Sequence, residues 1–230
     1  MTGLLILDFD GTLCLGDEPV RAYARAVAYE ARFDPAVLLA PLDAFLGGEP
    51  ATPGILEGTS DGYQAVAALG SQHALDSAAL GRAYRASRLD VDAGRVPLHA
   101  APGMADELER WAGWRRVLVT NAPEEGTRAL IGSLGYAHVV DTVIGDAGKP
   151  AGLERLLESG GALDVNPALP LASIGDIWRN DLAPVAQLGG LTALIERHPQ
   201  VQATPTVRAR EPHAALRMLR DSIQDAGTAS

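Results

Sequence analysis

Leu4-Leu5-Ile6-Leu7-Asp8-Phe9-Asp10-Gly11-Thr12-Leu13 decides how the rest of the chain is read. Four apolar residues in a row, without alternation, predict a short strand buried on both faces, as in a parallel sheet. Asp8 and Asp10, two residues apart, point to the same side at the strand's carboxyl end, where open α/β sheets bind their ligands. Two like charges at the rim of a hydrophobic sheet are costly unless a cation or a proton lies between them. The pair therefore suggests Mg²⁺ and phosphate chemistry. The alternative is a surface turn, because Asp, Gly and Thr all favour turns.

Outward from this stretch the pattern changes. Residues 15–95 show helical spacing of apolar residues, as in Val20-Arg21-Ala22-Tyr23-Ala24-Arg25-Ala26-Val27, and predict an all-helical insertion large enough for a small domain. Asp34 and Pro35 mark one helix start within it. From Ala101 onward, helix and strand alternate. Helices are expected over 102–111, 124–134, from Lys149-Pro150 to 157, up to about 188, and over 212–223. Strands are expected over 116–120, 139–144, 171–174 and 191–195, with a further one near Val207. Such alternation means an α/β fold with a Rossmann-like, doubly wound parallel sheet. The expected organisation is a core of residues 1–14 and 96–225, a helical domain of residues 15–95, and a flexible tail of residues 226–230.

The composition narrows the function. At 230 residues with 47% apolar content, the chain can bury a substantial core. A net charge of −10 argues against the concentrated positive surface that nucleic acid requires. A phosphorylated substrate stays compatible, because a local cation can outweigh the global field. Cys14 is the single cysteine, so no intramolecular disulfide can form, and secretion gains no support. Neither a signal peptide nor a membrane span is visible, and a cytoplasmic protein is expected. Lys149 is the only lysine; the other 18 of the 19 basic residues are arginine. A lone lysine in a chain that otherwise uses arginine points to a place needing a compact ammonium on a flexible stem. It also stands near a helix N-terminus, where the dipole disfavours a cation unless an anion is its partner.

Four polar clusters fall at strand ends or helix starts: Asp8/Asp10, Thr120-Asn121, Lys149, and Asp176 with Asp181. In a parallel sheet those ends share one edge, so distant residues can converge there. Each type of group has a part in phosphoryl transfer. A carboxylate can attack phosphorus, and a second carboxyl can manage protons. Carboxylates can hold Mg²⁺, while a hydroxyl, an amide and an ammonium can hold phosphate oxygens. Singly, each has a plainer explanation, such as helix capping by Thr120-Asn121 or ordinary first-turn acids at Asp176 and Asp181.

Together, Asp8-Phe9-Asp10-Gly11-Thr12-Leu13, Thr120-Asn121, Lys149-Pro150 and Gly175-Asp176-Ile177-Trp178-Arg179-Asn180-Asp181 resemble, in order, the four motifs of the haloacid dehalogenase (HAD) superfamily. The resemblance covers about residues 4–195. It implies a helical cap inserted between the first and second motifs of a Rossmann-like core. It implies Asp8 as nucleophile, Asp10 as general acid/base, and Thr120 with the amide at Asn121 as phosphate-binding groups. Lys149 would steady the charge of nucleophile and phosphate, and Asp181 would be a supporting acid. The Asp8 carboxylate, the Asp10 carbonyl and Asp176 would hold Mg²⁺. Ile177-Trp178 is bulkier than the small residues often found there.

Asp10 also separates reactions within the family the chain resembles. A halide leaving group needs no proton, and the dehalogenases lack this second aspartate, so Asp10 favours hydrolysis of a small phosphate ester. The helical insertion has no lysine, which disfavours phosphonate cleavage and hexose-phosphate mutation. Outside this family two alternatives remain: a phosphorylation-dependent signalling module, and a catalytically silent binding protein on the same fold. The loop 45–58 and Arg82, Arg85 and Arg88 could reach substrate, although Arg82 and Arg85, at i and i+3, fit a solvated face better. His73 and His99 are isolated and read as structural or exposed.

Overall fold

The computed structural model describes residues 2–48, 55, 56, 59, 61–159, 163, 166, 168–197, 200 and 202–228. The chain divides into two compact units, Met1–Leu15 with His99–Ser230, and Gly16–Leu98. The division falls at 15/16 and 98/99, one and three residues later than sequence pattern places it. Its cause is a pair of two-residue strands, β2 (Cys14–Leu15) and β3 (His99–Ala100), which hydrogen-bond antiparallel at the base of the insertion.

The first unit is built on a six-stranded, wholly parallel sheet. Its strands are β1 (Gly3–Leu7), β4 (Trp114–Val119), β5 (Thr142–Ile144), β6 (Leu171–Gly175), β7 (Leu191–Ile195) and β8 (Val207–Ala209), in the order β5-β4-β1-β6-β7-β8. The chain winds outward from β1 through β4 to β5, then returns to β1's other side at β6 and winds the opposite way. β1 and β6 therefore flank the switch point, where α/β sheets place their ligand site at the strands' carboxyl ends. All five residues of β1 are buried, which is why its sequence shows no alternation.

Helices α5 (Met104–Glu109), α6 (Glu124–Ser133), α7 (Ala151–Ser159), α8 (Ala183–Gln187) and α9 (Pro212–Thr228) complete this unit. Leu153 and Leu157 of α7 and Val185 of α8 bury Leu4, Ile6, Val117 and Val119 on one face of the sheet. Three expectations are corrected here. α5 is shorter than residues 102–111 and begins after Gly103, whose φ is +70°. β5 starts at Thr142, not 139, because the N–H groups of Val139 and Val140 bond back to the Tyr136 carbonyl in a turn. α9 runs on to Thr228, so residues 226–228 are helical.

The second unit holds α1 (Glu18–Ala31), α2 (Ala36–Leu46), α3 (Gly62–Gln72) and α4 (Ser77–Asp92). Val20, Val27, Leu38, Leu42, Val66 and Leu69 form its core. Tyr23, Tyr63 and Tyr84 pack together within it at centroid separations of 5.7–6.0 Å. Asp61 and Asp76 cap α3 and α4 by accepting from the Gln64 and Ala79 N–H groups. Arg82 pairs with Glu30 on the surface, whereas Arg88 is buried and donates to the Tyr63 hydroxyl. His73 lies against the Phe33 ring and His99 is exposed. Of the loop 45–58, residues 49–54, 57 and 58 lie outside the described residues. No helix among the described residues is long and apolar enough to cross a membrane.

Candidate active site

β1 ends at Leu7, and its ladder continues one residue further: the Asp8 N–H donates to the Ile174 carbonyl of β6 at 3.1 Å. The chain then turns sharply. The Phe9 carbonyl accepts from the N–H groups of Thr12, Leu13 and Cys14, and the Gly11 N–H donates to Cys14. Gly11 has φ +87°, and a Cβ there would overlap Asp176 Oδ2. Glycine is required twice over, by backbone conformation and by the carboxylate lying against it. The buried Thr12 hydroxyl donates to Asp8 Oδ2 at 3.0 Å.

Lys149 reaches this turn from the loop between β5 and α7. Its Nζ donates to Asp8 Oδ1 at 2.7 Å and to Asp181 Oδ1 at 2.6 Å, and only 4% of its side chain is exposed. Three bonds stitch its loop to the end of β4. The Ala147 N–H donates to the Thr120 carbonyl, the Asp146 N–H to the Ala122 carbonyl, and the Lys149 N–H to Asn121 Oδ1 at 2.7 Å. Asn121 Nδ2 also reaches the Lys149 carbonyl at 3.5 Å. The Asn121 side chain thus holds the lysine's own backbone. Thr120 is buried beside it, its hydroxyl accepting from the Ala122 N–H at 3.1 Å, which leaves the hydroxyl proton available to an acceptor.

The third segment follows β6. Ile177 is extended and leads into a π-helical turn, Trp178–Leu182, that continues as α8. This wide turn brings the Asp181 side chain back against the strand end. A Cβ on Gly175 would be 2.5 Å from Asp181 Cβ. Asp181 Oδ2 accepts from the Ile177 N–H at 3.0 Å, so both oxygens of this carboxylate are engaged.

Carboxylate oxygens of Asp8, Asp176 and Asp181 lie within 4.8 Å of one another. Burial would lower the Lys149 pKa, but the charges of Asp181 and Asp8 outweigh it and hold the ammonium above its ordinary value. Burial, followed by the charge of Asp8, pushes Asp181 up to about 7 against the opposing pull of Lys149. Three clustered carboxylates, two of them paired with one ammonium, leave an uncompensated negative charge when all are ionised. Oxygen-only donors with surplus negative charge fit a hard divalent cation such as Mg²⁺, so the residues present are chemically suited to one.

The chain matches the model of the haloacid dehalogenase-like hydrolases over residues 2–187. It belongs to that family. No curated protein matches its sequence, but solved structures do match its fold. YfnB from Bacillus subtilis, a HAD-hydrolase bound to magnesium, is 15% identical, with TM-score 0.58, over 95% of this chain and 98% of that one. A protein described as a predicted phosphoglycolate phosphatase from Haemophilus somnus is 17% identical, with TM-score 0.61, over 94% and 97%. A 2-haloacid dehalogenase from Pseudomonas syringae is 17% identical, with TM-score 0.54, over 96% and 99%. At such identities the likeness speaks for the fold alone.

In this HAD-like hydrolase, Asp8, Lys149, Asp176 and Asp181 converge at the switch point, with Thr120 and Asn121 at the end of the adjoining strand. The Asp10 carboxylate does not join the three-carboxylate group. The role expected for Asn121 gains a further part, since its side chain positions Lys149. Thr12 and Gly11 stand inside the quoted motif, yet sequence alone assigns them no contact. The hydroxyl four residues after Asp8 was the available cue for Thr12.

Proposed function

We propose that this chain is a cytoplasmic, Mg²⁺-dependent phosphatase that hydrolyses a small phosphomonoester through an aspartyl-phosphate on Asp8. The observation carrying this proposal is the buried Lys149 ammonium bridging Asp8 and Asp181. A carboxylate oriented by a desolvated ammonium is prepared to act as a nucleophile. Thr12, bonded to the other oxygen of Asp8, fixes its rotamer.

In the first step an Asp8 oxygen bonds to phosphorus and the ester P–O bond breaks. Asp10 gives its proton to the departing alcohol oxygen. In the second step Asp10 takes a proton from water, whose oxygen attacks phosphorus and releases inorganic phosphate from Asp8. Lys149 and the Thr120 hydroxyl hold phosphate oxygens throughout. Asp8, the Asp10 carbonyl and Asp176 would hold Mg²⁺, which when bound neutralises charge on the transferring group. Asp181, with both oxygens occupied, keeps Lys149 in place. Asp10 weighs against dehalogenation, because a departing halide takes no proton.

The test is turnover by the purified protein with Mg²⁺ on a panel of phosphoglycolate, sugar phosphates, nucleotides and 2-haloacids. Release of phosphate, abolished in Asp8→Asn, is expected, together with a trappable phosphoenzyme or only trace turnover in Asp10→Asn. Turnover confined to haloacids, or none on any phosphate ester, would overturn the proposal.

A further inference from the structure

Gln200 lies in the loop between β7 and β8, outside all four motifs, yet it grips the segment that carries Asp176 at two points. Its Nε2 donates to the Asp176 carbonyl at 2.7 Å, and its Oε1 accepts from the Trp178 N–H at 2.8 Å. Only one orientation of the amide satisfies both partners, because a carbonyl can only accept and an N–H can only donate. The side-chain amide therefore does the work of a peptide group on an adjoining strand. Between those two points, the Ile177 N–H is held from Asp181 Oδ2. Three successive main-chain groups beyond β6 are thus fixed by two side chains, at the place where Asp176 presses against Gly11.

We infer that Gln200 is a positioning residue that sets the Asp176 carboxylate for the divalent cation; this rests on the metal-dependent site proposed above. Gln200 touches neither substrate nor reacting atoms and acts through the Asp176 backbone. Outer partners of metal ligands commonly contribute about 10–100-fold to metal affinity. Removal of the Gln200 amide should fall in that range while leaving the fold in place.

Calorimetric titration with Mg²⁺ tests this on wild type, Gln200→Ala, Gln200→Met and Asp176→Asn, alongside melting of each metal-free protein. Wild type should bind, Asp176→Asn should not, and both Gln200 variants should bind about 10–100-fold more weakly. Their metal-free melting temperatures should stay near wild type, and KM for the ester at saturating Mg²⁺ should be unchanged. Wild-type affinity in the Gln200 variants would overturn the inference alone. Gln200→Met keeps the side-chain bulk if Gln200→Ala does not fold, and failure of both to fold would overturn a positioning role. Absence of Mg²⁺ binding by wild type would overturn the metal-dependent site and this inference together.

Discussion

The Lys149 ammonium reaches Asp8 Oδ1 at 2.7 Å across 141 positions of sequence, with almost no solvent around it. Such a contact needs a point-like cation at the end of a thin stem. A guanidinium is broader and carries its donors in a fixed plane, and Asp181 on the other side leaves little room to widen the gap. Lys149→Arg should therefore lower kcat by at least about 100-fold, the scale expected for losing one preorganised charge contact. Steady-state kinetics on the best ester of the panel would decide, and an arginine variant within tenfold of wild type would refute the requirement.

Gly11 and Gly135 offer a matched comparison. Both have positive φ, +87° and +84°, but a Cβ at Gly11 meets Asp176 whereas one at Gly135 meets nothing within 4 Å. Gly135→Ala should cost only the left-handed backbone penalty, about 1–2 kcal/mol, with activity intact. Gly11→Ala should add displacement of Asp176, and so lose stability and turnover together. Urea unfolding and activity of the two variants would show this, and equal behaviour would remove the steric claim.

The parts of this molecule legible in sequence are those where one short stretch carries its own signal. β1 is an unbroken apolar run and β6 is apolar but for Ser173, each followed by an acid, and Lys149 stands out as the only lysine. Elements governed by distant partners are not legible. β2 and β3 are two residues each, too short for any periodicity, and exist because they pair with one another. Val139-Val140 has strand propensity, but the turn at Tyr136 overrides it. Gln200 carries no local cue, since its partners are main-chain groups more than twenty residues away. The acids at strand ends and the lysine that pairs with them could be found from pattern, but Gln200, which holds the Asp176 main chain, could not.

Asn121 is an example of such a support. Its side chain accepts from the Lys149 N–H at 2.7 Å and donates weakly to the Lys149 carbonyl. Asn121→Ala should free the lysine's backbone and lower kcat about 10-fold. Asn121→Asp keeps the shorter bond and should retain more of the rate. Equal losses in the two variants would mean that the side-chain acceptor is unimportant.

Tyr136 ties together the two segments of the sheet-bearing unit that flank the insertion in sequence. Its buried hydroxyl accepts from the Ala101 N–H and donates to the Leu13 carbonyl, both at 2.9 Å, and burial pushes its pKa up to about 12. Loss of a buried partner costs about 1–3 kcal/mol. Because the Ala101 N–H also reaches the Leu13 carbonyl at 3.0 Å, neither group is stranded in Tyr136→Phe. A loss near the lower end, about 1 kcal/mol, is expected in urea unfolding. No loss at all would show that the hydroxyl adds nothing to this junction.

Asp141 supplies a stability contribution with a definite pH sign. Arg116 meets it with its guanidinium at 2.9 and 3.2 Å and with its main-chain N–H at 2.7 Å. Partial burial raises the Asp141 pKa, but these bonds and the arginine charge prevail and hold it below the ordinary carboxylate value. A folded pKa below the unfolded one means stability present above the unfolded value, about 3.9, and lost as pH falls through the folded value. The pair is partly exposed, so the contribution at neutral pH should be at most about 1 kcal/mol. Asp141→Asn should therefore lower the urea midpoint at pH 7, and the gap from wild type should narrow at an acid pH below the ordinary carboxylate value of about 3.9. A gap of the same size at both pH values would show that the carboxylate's charge plays no part.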